Sequence, residues 1–183
     1  MASTIKTRFL ILSDTHGEPL ARPIDQKVDV AIDCGDLTED SKLHEFKTSL
    51  ELLKAISAPL KLVIARNHNF TLDPPVFRQK IAELERLHGD CDDLIKREYG
   101  GIGEARQLID SEKAKSAGIV FLDEGRHNFA LTNGAELTVD ANPNTPWKEE
   151  SGWGFKYRES EGHEWAIETG TDILITHCPP RGV

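Results

Sequence analysis

The sequence predicts an α/β fold, a parallel sheet with helical crossovers followed by a second, hairpin-built sheet, and three observations predict it. Apolar runs of strand length alternate with segments of helical periodicity through the first half of the chain. The second half shifts to short β-prone runs, two of them separated by Asn133-Gly134. Four of the apolar runs end in polar clusters: Asp14-Thr15-His16, Gly35-Asp36, Asn67-His68, and His177 with Cys178-Pro179-Pro180 behind it. In open α/β sheets ligands gather at the carboxyl ends of strands. Carboxylate, imidazole and amide oxygen together make a ligand set for a hard or borderline divalent cation.

The elements follow in order. Residues 9–12, 28–32, 60–64 and 173–175 are the apolar runs in front of the four clusters and read as buried strands. Residues 41–57 carry apolar side chains at 43, 46, 50, 53 and 56, which makes one helical face, and Pro59 ends it. Pro74-Pro75 suits the first turn of another helix, with Phe77, Ile81, Leu84 and Leu87 on one side. Strand, helix, strand, helix implies a parallel sheet. Residues 88–103 lose the period and read as a surface excursion partly covering the site. Gly100-Gly101-Ile102-Gly103 follows no strand, which argues against a phosphate-binding loop. Residues 104–117 resume a helical pattern that Gly118 caps. Residues 119–122, 128–132 and 135–139 are strand candidates, the last two joined as a two-residue hairpin. No repeat, low-complexity tract or linker divides the chain, so residues 1–183 read as a single domain.

Composition sets limits on function. Hydrophobic residues at 38% and charged residues at 29% are those of a soluble globular protein. A net charge of -9 argues against wrapping nucleic acid or lying on an anionic membrane. It leaves phosphate esters open, because a bound metal reverses the local sign. No apolar run is long enough to span a bilayer and the first eight residues lack a signal-peptide core, so the expected location is the cytoplasm. Cys34, Cys91 and Cys178 have no metal-site spacing and read as free thiols. Nothing in the sequence speaks to oligomeric state.

Taken singly, Asp14-x-His16 reads as a turn with a solvated imidazole, Gly35-Asp36 as an ordinary turn, Asn67-His68-Asn69 as a polar loop, and His177 as a satisfied half-buried ring. Their joint appearance at four strand ends reverses that reading. In this order they resemble the calcineurin-like metallophosphoesterases, whose signature runs Asp-x-His, Gly-Asp, Gly-Asn-His-Asp/Glu, a strand-end His, then Gly-His-x-His. Asn142-Pro143-Asn144-Thr145-Pro146, Gly154-Phe155-Lys156-Tyr157 and His177-Cys178-Pro179-Pro180-Arg181-Gly182 are similar to segments of the class III-like, metallophosphoesterase-domain-containing branch. There are three departures. Arg66 stands where that family has Gly, Asn69 where it has an acid, and the chain ends at Val183 before any Gly-His-x-His, so the domain is expected to be incomplete at its C-terminus.

The resemblance implies a four-layer α/β/β/α sandwich and hydrolysis of a small phosphomonoester or phosphodiester. It implies two divalent ions (Mn, Fe or Zn) about 3.5–4 Å apart holding a hydroxide between them. Carried over by position, Asp14, His16 and Asp36 hold the first ion, Asn67 and His177 with a bridging Asp36 hold the second, and His68 is the acid toward the leaving oxygen. Asn69 is expected to hydrogen-bond the His68 ring in place of the acid. Arg66 is expected either to fork a phosphate or carboxylate substrate or to project into solvent. The alternative is a diverged relative using the fold for ligand binding or for metal chemistry other than phosphoryl transfer. Gly162-His163-Glu164-Trp165 begins like the absent Gly-His-x-His, but it precedes His177 and ends in Trp. It reads as a surface His163 beside a core Trp165.

Overall fold

The apolar runs of the first two-thirds become β1 (Phe9–Leu12), β2 (Val30–Asp33), β3 (Leu60–Ile64) and β4 (Ile119–Leu122), a parallel sheet whose spatial order is the chain order. The computed structural model describes residues 4–20, 26–147, 152–165 and 167–178. The register Leu12↔Asp33↔Val63 brings the carboxyl ends of β1, β2 and β3 level, so the loops after them leave from one edge.

Helix α1 (Leu43–Ala55) fills the β2–β3 crossover. Glu45 accepts from the Lys42 backbone N–H at 2.8 Å to close its first turn, and Phe46, Leu50 and Leu53 are buried beneath it. Its Ser49 hydroxyl donates to the Leu37 carbonyl at 2.5 Å, tying the helix to the loop that carries Asp36. After β3 a 3-10 segment, Asn67–Leu72, leads into α2 (Pro74–His88), where Asp73 caps the Val76 N–H. Only Phe77 of α2 is buried, and Leu87 at the end of the expected apolar face is exposed.

Residues 88–103 differ from expectation, because Asp92–Glu98 form a helix, α3. Seven residues with Ile95 alone buried show too few apolar repeats for a helical period to be read. The expected helix over 104–117 is two, α4 (Glu104–Ile109) and α5 (Glu112–Ser116), broken where Ser111 caps the Ala114 N–H. Gly118 then turns with φ +76, and a Cβ there would lie 2.2 Å from the Pro59 carbonyl oxygen, so glycine is required at this close approach. Buried Lys61 fastens the same end of the sheet, its ammonium donating to the Ala58 and Ala117 carbonyls at 2.7 Å each.

The second half gives β5 (Gly125–Ala130) and β6 (Glu136–Asn142), then β7 (Thr145–Trp147) and β8 (Lys156–Arg158), which pair as a small parallel ribbon, and β9 (Ile173–Thr176). Strands β5, β6 and β9 form the second sheet in that order, with β9 parallel to β6. The β5–β6 connection is longer than the two-residue turn expected. Leu131 and Ala135 close it, Gly134 alone has positive φ, and the Asn133 carboxamide oxygen accepts from Ala135 N, as in a turn followed by a left-handed residue.

Two cores result. Val30, Ile32, Leu62, Ile64 and Leu122 of the first sheet meet Leu137, Val139, Ala141 and Ile175 of the second, so the sheets pack face to face. The other face of the first sheet, with Ala31, Val63 and Ile119, is covered by Phe46, Leu50 and Leu53 of α1 together with Ala105, Ile109 and Ala114. Each such fully buried side chain contributes about 1.5–3 kcal/mol. The helices described all fall between Leu43 and Ser116. The described residues therefore build three layers, helix on sheet on sheet, and the second helical layer of the expected sandwich is not among them.

Candidate metal centre

At the carboxyl edge of the first sheet the loops after β1 and β2 continue the ladder beyond the strands. Cys34 N–H donates to Leu12 O, Asp14 N–H to Gly35 O and His16 N–H to Asp36 O, at 2.9–3.0 Å. The three side chains expected on the first ion hang from strained backbone: Asp14, His16 and Asp36 have φ of 54, 47 and 58. Left-handed non-glycine residues cost about 1–3 kcal/mol each and concentrate at functional sites. The strain aims the side chains inward, and donor atoms of Asp14, His16 and Asp36 all lie within 4.8 Å of one another. A second such group is His16, Glu39 and His68.

The imidazoles are prepared for ligation in the same way. His16 Nδ1 is 3.0 Å from the Thr38 carbonyl oxygen and 3.0 Å from Glu39 Oε2, which leaves Nε2 as its donor atom. His177, reaching over from the end of β9 in the second sheet, has Nδ1 2.9 Å from the Cys34 carbonyl oxygen and Nε2 3.6 Å from Asp14 Oδ1. Burial, with Arg66 nearby, lowers the His177 pKa and favours the neutral ring. Asp14, His16 and Asp36 are thus grouped, and His177 reaches this group from the second sheet through Asp14. Asn67 opens the 3-10 segment and its carbonyl accepts from Gly154 N–H at 3.1 Å. Burial pushes the Cys34 thiol up to about 11. The residue serves the site through its carbonyl oxygen.

His68 is held by the Glu39 carbonyl oxygen, 2.6 Å from Nδ1, and by the Trp153 ring at 4.3 Å between centroids. Asn69 does not orient it. Asn69 is fully buried and faces the other way, its Oδ1 accepting from Arg66 N–H at 3.0 Å and its Nδ2 donating to Thr38 Oγ1 at 2.8 Å. The expected link from Asn69 to the imidazole is replaced by one from Asn69 to the backbone of the loop. Glu39 and Trp153 were not singled out in the sequence; the only signal for Trp153 is its place directly before Gly154-Phe155-Lys156-Tyr157.

Arg66 neither projects into solvent nor stands open as a free fork. Its Nη1 lies 2.7 Å from Asp36 Oδ2 and 3.4 Å from Asp14 Oδ1, and its buried Nε has no hydrogen-bond partner. Its φ of −151 is ordinary extended backbone, so this turn does not need glycine. Lys156, with Arg66 and Lys80 close enough to add to the effect of its own burial, is lowered to about 8. The neighbourhood is cationic on this side.

The Asp14–His16–Asp36 donor set fits one divalent cation in chemistry and spacing. The second expected set fits less well, because the carboxylate meant to bridge already accepts the guanidinium. Gly162-His163-Glu164-Trp165 is reversed from expectation. His163 turns inward, with Nε2 2.6 Å from Glu124 Oε1 and its ring stacked on Tyr157, while Trp165 is exposed. Residues 179–182 of the His177 motif lie outside the described residues.

The chain is 30% identical to the human and to the mouse metallophosphoesterase domain-containing protein 1, over 96% of its own length and 49% of theirs. It is 27% identical to the probable rhamnogalacturonate lyase C of Emericella nidulans, over 95% of this chain and 14% of that much longer one. The chain spans about half the length of the metallophosphoesterase-domain relatives it matches. It matches no family model. Similarity to the human and mouse proteins supports the metallophosphoesterase family at a coarse level.

Proposed function

We propose that this chain is a metallophosphoesterase domain that hydrolyses a small phosphomonoester or phosphodiester with divalent metal. The observation that supports the reading is the grouping of Asp14, His16 and Asp36, with His177 Nε2 3.6 Å from Asp14 and both imidazoles tied at Nδ1 to backbone carbonyls. These residues would hold a divalent cation, which would supply polarisation of an attacking water and screening of the phosphoryl charge. Asp14 and Asp36 supply the negative charge for the cation, and His16 and His177 present Nε2 toward the same space. His68, with Nδ1 on the Glu39 carbonyl, keeps Nε2 for protonating the leaving oxygen. Arg66 and Lys156 set positive charge beside the site, which suits an anionic substrate.

The test is hydrolysis of nitrophenyl phosphate and its diester by purified protein with added manganese, against Asp36→Ala. Turnover of either ester that disappears in the variant supports the reading. Metal uptake with no turnover of any ester favours the second reading, a diverged relative that binds a phosphorylated ligand. The occupation of Asp36 by Arg66 is the observation on that side.

A further inference from the structure

Resting on the phosphoesterase reading, we propose that the Arg66 guanidinium is a built-in replacement for a second metal ion, so that the chain takes one divalent cation at Asp14, His16 and Asp36. The guanidinium takes up carboxylate oxygens that a pair of bridged ions would need. Nη1 accompanies Asp36 Oδ2 at 2.7 Å and Asp14 Oδ1 at 3.4 Å, while the other Asp36 oxygen accepts the His68 backbone N–H at 3.3 Å. Asp36 is 1% exposed, so the fold, and not bulk solvent, sets which cations stand against its carboxylate.

Charge points the same way. Asp14 and Asp36 are the carboxylates of the proposed ligand set. Two divalent ions added beside Arg66 would leave three positive charges uncompensated in a partly buried site, whereas one ion beside Arg66 leaves one, a balance that an anionic phosphate completes. The arginine is also fixed from behind. Asn69 holds its backbone N–H, and a Cβ on Gly35 would come within 3.0 Å of the Arg66 Cβ, so the stem runs closely against the Gly35 turn. A planar, permanently charged group held in this way acts on a phosphoryl oxygen as a fixed cation, without the dissociation of a metal.

Manganese stoichiometry tests it, measured by calorimetric titration and by electron paramagnetic resonance on the full chain, for wild type, Arg66→Gly and Arg66→Ser. The extended backbone at position 66 accommodates either replacement, and two variants guard against a folding failure in one. Expected are one manganese per chain with an isolated-ion spectrum in wild type, and two per chain with an exchange-coupled spectrum in at least one variant. Two ions in wild type would overturn the inference and leave the phosphoesterase reading standing. One ion in all three proteins would also overturn it, because Arg66 would then exclude nothing. No binding in any of them would sink both.

Discussion

The part of the site around His16 and the part around His177 use one device to different ends. In each, a strand-end imidazole is fixed through Nδ1 by a carbonyl of a neighbouring loop, Thr38 in one and Cys34 in the other. What faces the free nitrogen differs. His16 shares its space with two carboxylates, whereas His177 looks toward Asp14 with Arg66 close enough to lower its pKa. Strand-end geometry is therefore retained on both sides, while the balance of charge turns on Arg66, which touches the two carboxylates beside His16 and adds to the effect of burial in lowering His177. Backbone hydrogen bonds dictate the first property and a single side chain the second, so one can shift while the other stays.

Removing the carboxylate common to both parts gives the largest effect. Asp36→Ala should weaken manganese binding by more than about 100-fold, beyond the range for losing an outer-shell partner. His44→Ala, on the exposed side of α1, should leave it unchanged. Calorimetric titration decides between them, and equal uptake by wild type and Asp36→Ala would dissolve the comparison.

Next comes Asn69→Asp, where sequence and structure lead to opposite expectations. A carboxylate oriented on His68 would speed esters with poor leaving groups. In the structure the new carboxylate would instead be buried beside Thr38, and that hydroxyl could no longer both accept from residue 69 and donate to the His68 carbonyl. The expected outcome is a loss of about 1–3 kcal/mol in stability, the cost of a buried polar group left without its partner. Urea unfolding measures it; faster hydrolysis of alkyl phosphates at unchanged stability would restore the orienting role.

These residues show how much was legible. Apolar runs of three to five residues placed β1, β3, β4 and β9 to within a residue, although β1 and β9, expected to be buried, leave Ile11 and Leu174 exposed. The order of polar clusters then named Asp14, His16, Asp36 and His177, since ligands at strand ends follow their strands. Helix α3 escaped because two turns with one buried residue carry no period. Arg66 and Asn69 were placed but not oriented. Whether a side chain turns to solvent, to a ring or to a carboxylate thirty residues away depends on contacts that no local pattern encodes. Glu39 escaped for the same reason, meeting His16 through a loop rather than through a motif.

Glu39 sharpens the His16 side with a smaller effect. Its carboxylate adds to the Thr38 carbonyl in fixing His16 Nδ1, but it is 63% exposed, so water takes much of its place when it goes. Glu39→Gln should weaken manganese affinity about tenfold, the low end for an outer-shell partner. It should leave the contact of His68 with the Glu39 backbone carbonyl intact. A loss as large as that of Asp36→Ala would make Glu39 a direct ligand, through the His16–Glu39–His68 grouping.

A pH effect reports on both sides at once through Asp33, which lies behind the site with Oδ1 accepting from Gly35 N–H at 3.0 Å and Oδ2 buried without a partner among the described residues. Burial is the main reason its pKa is raised from 3.8 to about 7, and the negative charges of Asp14 and Asp36 add a lesser part. Between those two values the folded chain holds a proton that the unfolded chain has released. Its share of stability is therefore fully present below about 3.8 and is lost as pH rises to about 7. The slope is at most about 1.4 kcal/mol per pH unit. Asp33→Asn keeps the Gly35 bond and should remove that slope, which the difference between the two proteins in urea unfolding isolates from other carboxylates. Manganese bound at Asp14 and Asp36 offsets only the lesser, electrostatic part, so the upper limit of the window should move down by less than about one pH unit. A carbon-13 titration of the Asp33 carboxyl with and without manganese measures this directly. A midpoint near 4 in the metal-free protein would mean that the carboxylate is solvated after all, and no shift on adding metal would place the cation away from Asp14 and Asp36.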